Sequence, residues 1–62
     1  MNRRSIKHLH GKQVAVTLSG YPGLLHGRLL SAGPLTAWLD TADGESIFVP
    51  YTRILSVQDV TP

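Results

Sequence analysis

The sequence predicts an all-β fold: five short strands curled into a small barrel, with at most a short helical turn at the N-terminus. Three observations carry this. From Gln13 to Val60 the apolar residues mostly alternate with polar ones at period two, as in Val14, Val16 and Leu18. Turn signals interrupt the pattern at Gly20-Tyr21-Pro22-Gly23, Gly33-Pro34 and Asp43-Gly44, leaving no window of helical length. Finally, 62 residues without a single Cys lie near the lower limit for a core with no disulfide or metal. A sheet that curls on itself encloses such a core economically.

Each element follows in order. Ser5 is placed to cap one helical turn through Ile6, Lys7 and Leu9, which Gly11 stops. The first strand runs from Gln13 to Ser19, with Val14, Val16 and Leu18 facing inward. In the following turn Pro22 presets φ and Gly23 is expected to take φ > 0. The second strand, Leu25 to Ser31, sets Leu25, Gly27 and Leu29 on one face and His26, Arg28 and Leu30 on the other. Gly27 marks a bulge, a sharp bend or a close approach by another backbone. Leu35, Ala37 and Leu39 alternate with Thr36, Trp38 and Asp40 in a third strand that ends in the Asp43-Gly44 hairpin signal. A fourth strand covers Glu45 to Val49, and Pro50 ends it or confines it to an edge because Pro donates no ladder hydrogen bond. Tyr51-Thr52-Arg53 has room for a single tight turn or one 3₁₀ turn, and Ile54 to Val60 forms the fifth strand. This order, with a 3₁₀-sized link before the last strand, is that of an SH3-like barrel. No linker, repeat or low-complexity segment divides it, so residues 1–62 read as one domain, of which 1–8 are expected to be a flexible basic leader.

Charge is unevenly spread. Arg3, Arg4, Lys7 and Lys12 gather in the first twelve residues, whereas Arg28 and Arg53 are outnumbered by Asp40, Asp43, Glu45 and Asp59 in the remainder. The net charge of +2 is therefore a property of the N-terminus, where cations attract phosphates or simply aid solubility. The first residues contain no apolar signal-peptide segment, and no stretch approaches the roughly 20 apolar residues that span a bilayer. With Cys absent, the expectation is a complete, soluble, cytoplasmic protein with no membrane partner.

The order of elements resembles the Sm-like (LSm/Hfq-like) family, which includes the bacterial RNA chaperone Hfq. The matching positions are Leu9-x-Gly11-Lys12-x-Val14-x-Val16-x-Leu18, Gly27-x-Leu29, Ala37-x-Leu39, Ile47-Phe48-Val49-Pro50, and then Ile54 and Val57. The resemblance covers nearly the whole chain and consists of apolar period and glycine placement. It implies a ring-type homo-oligomer in which the fourth strand of one copy pairs with the fifth of the next. The departures are equally specific. Where the family carries an Asp and an Asn that pinch a base, this chain reads Ala32-Gly33-Pro34-Leu35-Thr36-Ala37. Where it carries Arg-Gly or Lys-His after the fourth strand, this chain reads Val49-Pro50-Tyr51-Thr52-Arg53. The family's uridine pocket is thus missing its polar residues, and RNA binding has to use others.

The candidate nucleic-acid residues are Arg3, Arg4, Lys7, Lys12, Arg28 and Arg53 for phosphates, with Tyr21 and Tyr51 for base stacking. Trp38 and Phe48, with Leu30, are expected to point outward from neighbouring strands, as an oligomer interface or a stacking platform. His8, His10 and His26 read as surface histidines rather than metal ligands, since two sit in the leader and the third is distant. Asp40, Asp43 and Glu45 surround a hairpin with no nucleophile and base in phase. No catalytic, metal or cofactor site is expected, and the chain does not read as an enzyme. The leading expectation is an oligomeric Sm-like protein that binds single-stranded RNA or another nucleic acid through basic and aromatic surface residues. The alternative is a protein-interaction or scaffold module that uses Trp38, Phe48 and the strand edges.

Overall fold

A computed structural model describes the chain from Met1 to Pro62. A four-residue helix, α1 (Arg3–Ile6), runs into a 3₁₀ turn (Lys7–Leu9) and is followed by β1 (Gln13–Leu18), β2 (Leu24–Ala32), β3 (Thr36–Asp40) and β4 (Ser46–Pro50). A second 3₁₀ turn (Tyr51–Arg53) leads into β5 (Ile54–Asp59). All strands belong to one antiparallel sheet of order β4-β3-β2-β1-β5. The first four strands form a meander. The turn at Tyr51–Arg53 then carries the chain across to the far side of β1, so β4 and β5 are the two edges. The fold is a small, barrel-like, all-β domain.

The alternating residues define its interior. Val14, Val16, Leu29, Ala37, Leu39, Val49, Tyr51 and Ile54 are buried, with Leu18, Leu25, Ile47 and Val57 packed against them. The N-terminal turns complete this core. Ile6 and Leu9, three residues apart, are both buried, so the segment expected as a basic leader is anchored by two apolar side chains. Its cap differs from expectation. The Asn2 side chain, not that of Ser5, is the N-cap, its Oδ1 accepting from the Ser5 backbone N–H at 3.2 Å and from the Ser5 hydroxyl at 3.2 Å.

Two features of β2 shape its pairing with β3. Between the pairs Leu29↔Leu39 and Ser31↔Trp38 the register shifts, leaving Leu30 as the extra residue of a bulge. Gly27 serves a different purpose. A Cβ at that position would lie 2.8 Å from the Asp40 carbonyl oxygen, so only Gly lets β3 come this close to β2. Of the readings open for Gly27 the close approach is the one realised, and the bulge falls three residues later. A second shift, between Thr17↔Ser56 and Leu18↔Ile54, leaves Leu55 unpaired in β5.

Three further positions depart from the sequence reading. In the β1–β2 turn it is Gly20 that adopts φ +77°, while Gly23 has no positive φ. Leu35 precedes β3 rather than opening it, and its side chain is 78 % exposed. The reason is local: pairing with β4 begins at Thr36↔Pro50, and the Gly33-Pro34 turn before it does not preserve the inward phase. Pro50 is itself the last residue of β4, on a sheet edge where its missing N–H is tolerated. The Asp43-Gly44 hairpin forms as expected, with Gly44 at φ +84° and the Gly44 N–H donating to the Thr41 carbonyl at 3.0 Å.

Replacing Gly27 by Ala forces a methyl group against backbone rather than a yielding side chain. The variant is expected to lose about 2 kcal/mol of stability, read as a lower urea midpoint with unchanged slope; a midpoint equal to wild type would refute the close-approach argument.

Candidate nucleic-acid interface

Burial of Ile6 and Leu9 holds α1 and its following turn against the sheet, while Arg3, Arg4 and Lys7 of the same segment stay exposed. These cations line a shallow cleft of about 640 Å³ together with Asn2 and Pro34. A smaller neighbouring cleft of about 190 Å³ is lined by Arg3, Lys7, His10, Ser31 and Ala32. Arg3 and Lys7 belong to both, so the two form one continuous surface from Pro34 to His10. No carboxylate lines either cleft, and none of the three cations is held in an ion pair. A surface of this kind accepts anions, phosphate among them.

Beneath this surface lies Tyr51, which departs from its expected role. It is 6 % exposed and belongs to the core, so it presents no ring face for a base. Its hydroxyl donates to the Gly33 carbonyl at 2.7 Å, and the Leu35 carbonyl accepts its backbone N–H at 3.2 Å. Both bonds brace the loop that supplies Pro34 to the cleft. Burial pushes the Tyr51 phenol above its ordinary pKa of 10.0, while the positive charge of Arg3 acts in the opposite direction. The sequence held a signal for this: Tyr51 lies two residues beyond inward-facing Val49, and a single 3₁₀ turn keeps it on the inner side.

The other expected phosphate ligands are dispersed and partly committed. Lys12 faces Asp59 at 3.9 Å, with both side chains nearly half exposed, a pair of small energetic weight. The Asp59 carboxyl lies below its ordinary range chiefly because Thr61 donates to it from its backbone N–H, at 3.0 Å, and also through its side chain; Lys12 and His8 add smaller effects. Arg53 donates from Nη2 to the Ser19 carbonyl at 2.8 Å, and the Arg53 carbonyl accepts the Ser19 N–H at 2.9 Å, so Arg53 fastens the β1–β2 turn. Tyr21, in that turn, is exposed but lines neither basic cleft. Arg28 lines a separate cleft on the outer face of β2, with His26, Gln13 and Asp40. Asn2, Ser31, Ala32 and Pro34 complete the basic surface together with His10, and their residue types alone do not mark them; only the packing of α1 over the end of β2 assembles them.

Trp38 and Phe48 do meet. They are register partners in β3 and β4, and their rings stack at a centroid distance of 5.3 Å and an interplanar angle of 21°. Both are exposed, Phe48 at 64 %. Leu30, at the bulge, is half-buried. Compared with family models, curated proteins and solved structures, the chain matches none. The functional reading therefore rests on the geometry of this chain.

The Tyr51 brace is separable by experiment. Tyr51→Phe is expected to cost about 1 kcal/mol at neutral pH through the lost hydrogen bond to Gly33. The raised folded pKa means that Tyr51 helps hold the fold fully below the unfolded value of 10.0, a contribution that fades as pH rises through the folded pKa. Thermal melts from pH 8 to 11 check both effects: wild type should lose more stability than Tyr51→Phe at the alkaline end, and parallel profiles would contradict this role.

Proposed function

We propose that the protein is an Sm-like, self-assembling module that binds single-stranded RNA electrostatically through the surface of α1. The observation that carries this reading is the continuous basic cleft of Arg3, Arg4 and Lys7, free of carboxylates and seated on the folded domain by Ile6 and Leu9. Seating matters because a flexible cationic tail must lose its freedom on binding, whereas these cations are already held on a folded body. Binding of this type follows phosphate number and salt rather than base identity, consistent with the lack of the family's base-pinching pair in Ala32–Ala37. Assembly is supported by the sheet order, which leaves β4 and β5 as edges with unpaired backbone groups. Pairing the β4 edge of one copy with the β5 edge of the next satisfies both and closes into a ring if the rotation allows.

One observation favours a protein-interaction module instead. The Trp38–Phe48 pair lies on strands that contain no Lys or Arg, β3 reading Thr-Ala-Trp-Leu-Asp and β4 Ser-Ile-Phe-Val-Pro. Stacked rings without a nearby strand cation suit a protein partner better than a phosphate-bearing chain.

Three measurements test these readings. Labelled oligo-U should bind at 20 mM salt and weaken as salt rises. Joint replacement of Arg3, Arg4 and Lys7 by Ala should flatten the log–log salt slope by roughly two, at about 0.7 per phosphate contact on a single strand. Absence of binding at low salt would eliminate the RNA reading. Native mass measurement at micromolar concentration should find an oligomer, and a stable monomer would remove the ring. Trp38→Ala distinguishes the roles of the aromatic pair: loss of assembly marks an interface, and intact assembly with weakened RNA affinity marks a stacking surface.

A further inference from the structure

The cleft of about 250 Å³ on the outer face of β2 is distinct from the basic surface and differently built. Gln13, Arg28 and Asp40 lie in one cross-sheet row, Gln13 pairing with Arg28 between β1 and β2, and Arg28 with Asp40 between β2 and β3. His26 stands two residues before Arg28 on the same outer face. None of these four side chains makes a hydrogen bond or ion pair within the chain. This is notable for Arg28 and Asp40. Opposite charges directly across two strands have Cβ atoms roughly 5 Å apart, yet this pair leaves its guanidinium and carboxylate open to the cleft. Gly27, between His26 and Arg28, also lines it, and its missing side chain permits the close approach of Asp40 to the same spot.

A carboxylate beside a guanidinium presents two acceptors followed by two donors. Guanine alone among the four RNA bases presents the complement along one continuous edge: the N2 amino group and N1–H donate, then O6 and N7 accept. Adenine, cytosine and uracil each place an acceptor where the carboxylate needs a donor, or a donor where the guanidinium needs an acceptor. We propose that the Arg28–Asp40 pair reads the edge of an unpaired guanine, with Asp40 accepting from N1–H and N2 and Arg28 donating to O6 and N7. The side chains of Gln13 and His26 flank the site and are free to meet the attached ribose or phosphate. This inference rests on the RNA-binding reading and adds base preference to it. Phosphates on the α1 surface would supply affinity, and the outer cleft would supply discrimination.

The test compares hexamers of uridine with hexamers in which one central uridine is replaced by guanosine, on full-length wild type, Asp40→Asn and Arg28→Gln, at fixed low salt. For wild type the single guanine is expected to raise affinity roughly tenfold. Asn offers one acceptor and an intruding donor in place of two acceptors, so Asp40→Asn should lose the guanine gain and keep its oligo-U affinity. Arg28→Gln should lose most of it. In a second arm, guanosine monophosphate at millimolar concentration should shift the backbone amide resonances of Arg28 and Asp40, and adenosine monophosphate should not. Equal affinity for both hexamers, with oligo-U still bound, overturns the guanine site while leaving the RNA reading intact. Failure of both hexamers to bind overturns RNA binding and strand recognition together. Equal shifts from both mononucleotides, or a guanine gain that survives in Asp40→Asn, also overturn the proposal.

Discussion

The structure depends on one short distance. Where β2 passes β3, the Asp40 carbonyl oxygen comes to 2.8 Å from the point a Cβ of residue 27 would occupy, and glycine is the only residue that leaves it empty. A chain of this length has few ways to shield apolar side chains from water on every side. It does so here by bringing β3 tightly against β2 at Gly27, with the Leu30 bulge adding twist to the same strand. Leu29 and Leu39, each 1 % exposed, are register partners immediately beyond that approach, and Val14, at 0 %, pairs with Gly27 itself, so the close approach lies against the driest part of the core.

Curvature leaves one end of the core uncovered, and α1 with its following turn closes it. The cover is economical: Ile6 and Leu9 point inward, and Arg3, Arg4 and Lys7 of the same segment carry the charge outside. Core-packing side chains and exposed cations are thereby divided among neighbouring positions of one short segment. The same division recurs at Tyr51, whose ring packs in the core while its hydroxyl braces the Gly33 loop at the rim of the basic cleft. On the outer face the roles are separated by strand. The row from Gln13 to Asp40 crosses β1, β2 and β3, and the aromatic pair lies on β3 and β4.

Most of the strand plan was legible in the chain because half-buried strands advertise their inner face at period two, as Val14, Val16 and Leu18 do in β1. The outward placement of Trp38 and Phe48 on neighbouring strands followed from the same phase argument, and the turn at Tyr51–Arg53 from the short link left after Pro50; that the two rings stack on each other is added by the structure. What escaped has a common cause. Leu35 lies just outside a strand, where alternation no longer reports direction, and Tyr51 lies in a turn that preserves it. Which glycine of the β1–β2 turn takes positive φ depends on how Arg53 ties down Ser19, a contact 34 residues distant. The basic cleft was only partly legible. Its cations are adjacent in sequence, but Pro34 and Ser31 join them through tertiary packing.

The four-residue length of α1 has a further consequence. A single turn has no independent stability in water, because its nucleation cost exceeds what so few backbone hydrogen bonds return. Its shape is therefore borrowed from the core through Ile6 and Leu9, and the spacing of Arg3, Arg4 and Lys7 persists only while those two side chains remain docked. Undocking those two side chains would release the spacing of the three cations and expose the part of the core that the segment covers. A ligand bridging the three cations, as proposed above, would thus be thermodynamically linked to the opening equilibrium of the first ten residues, each opposing the loss of the other.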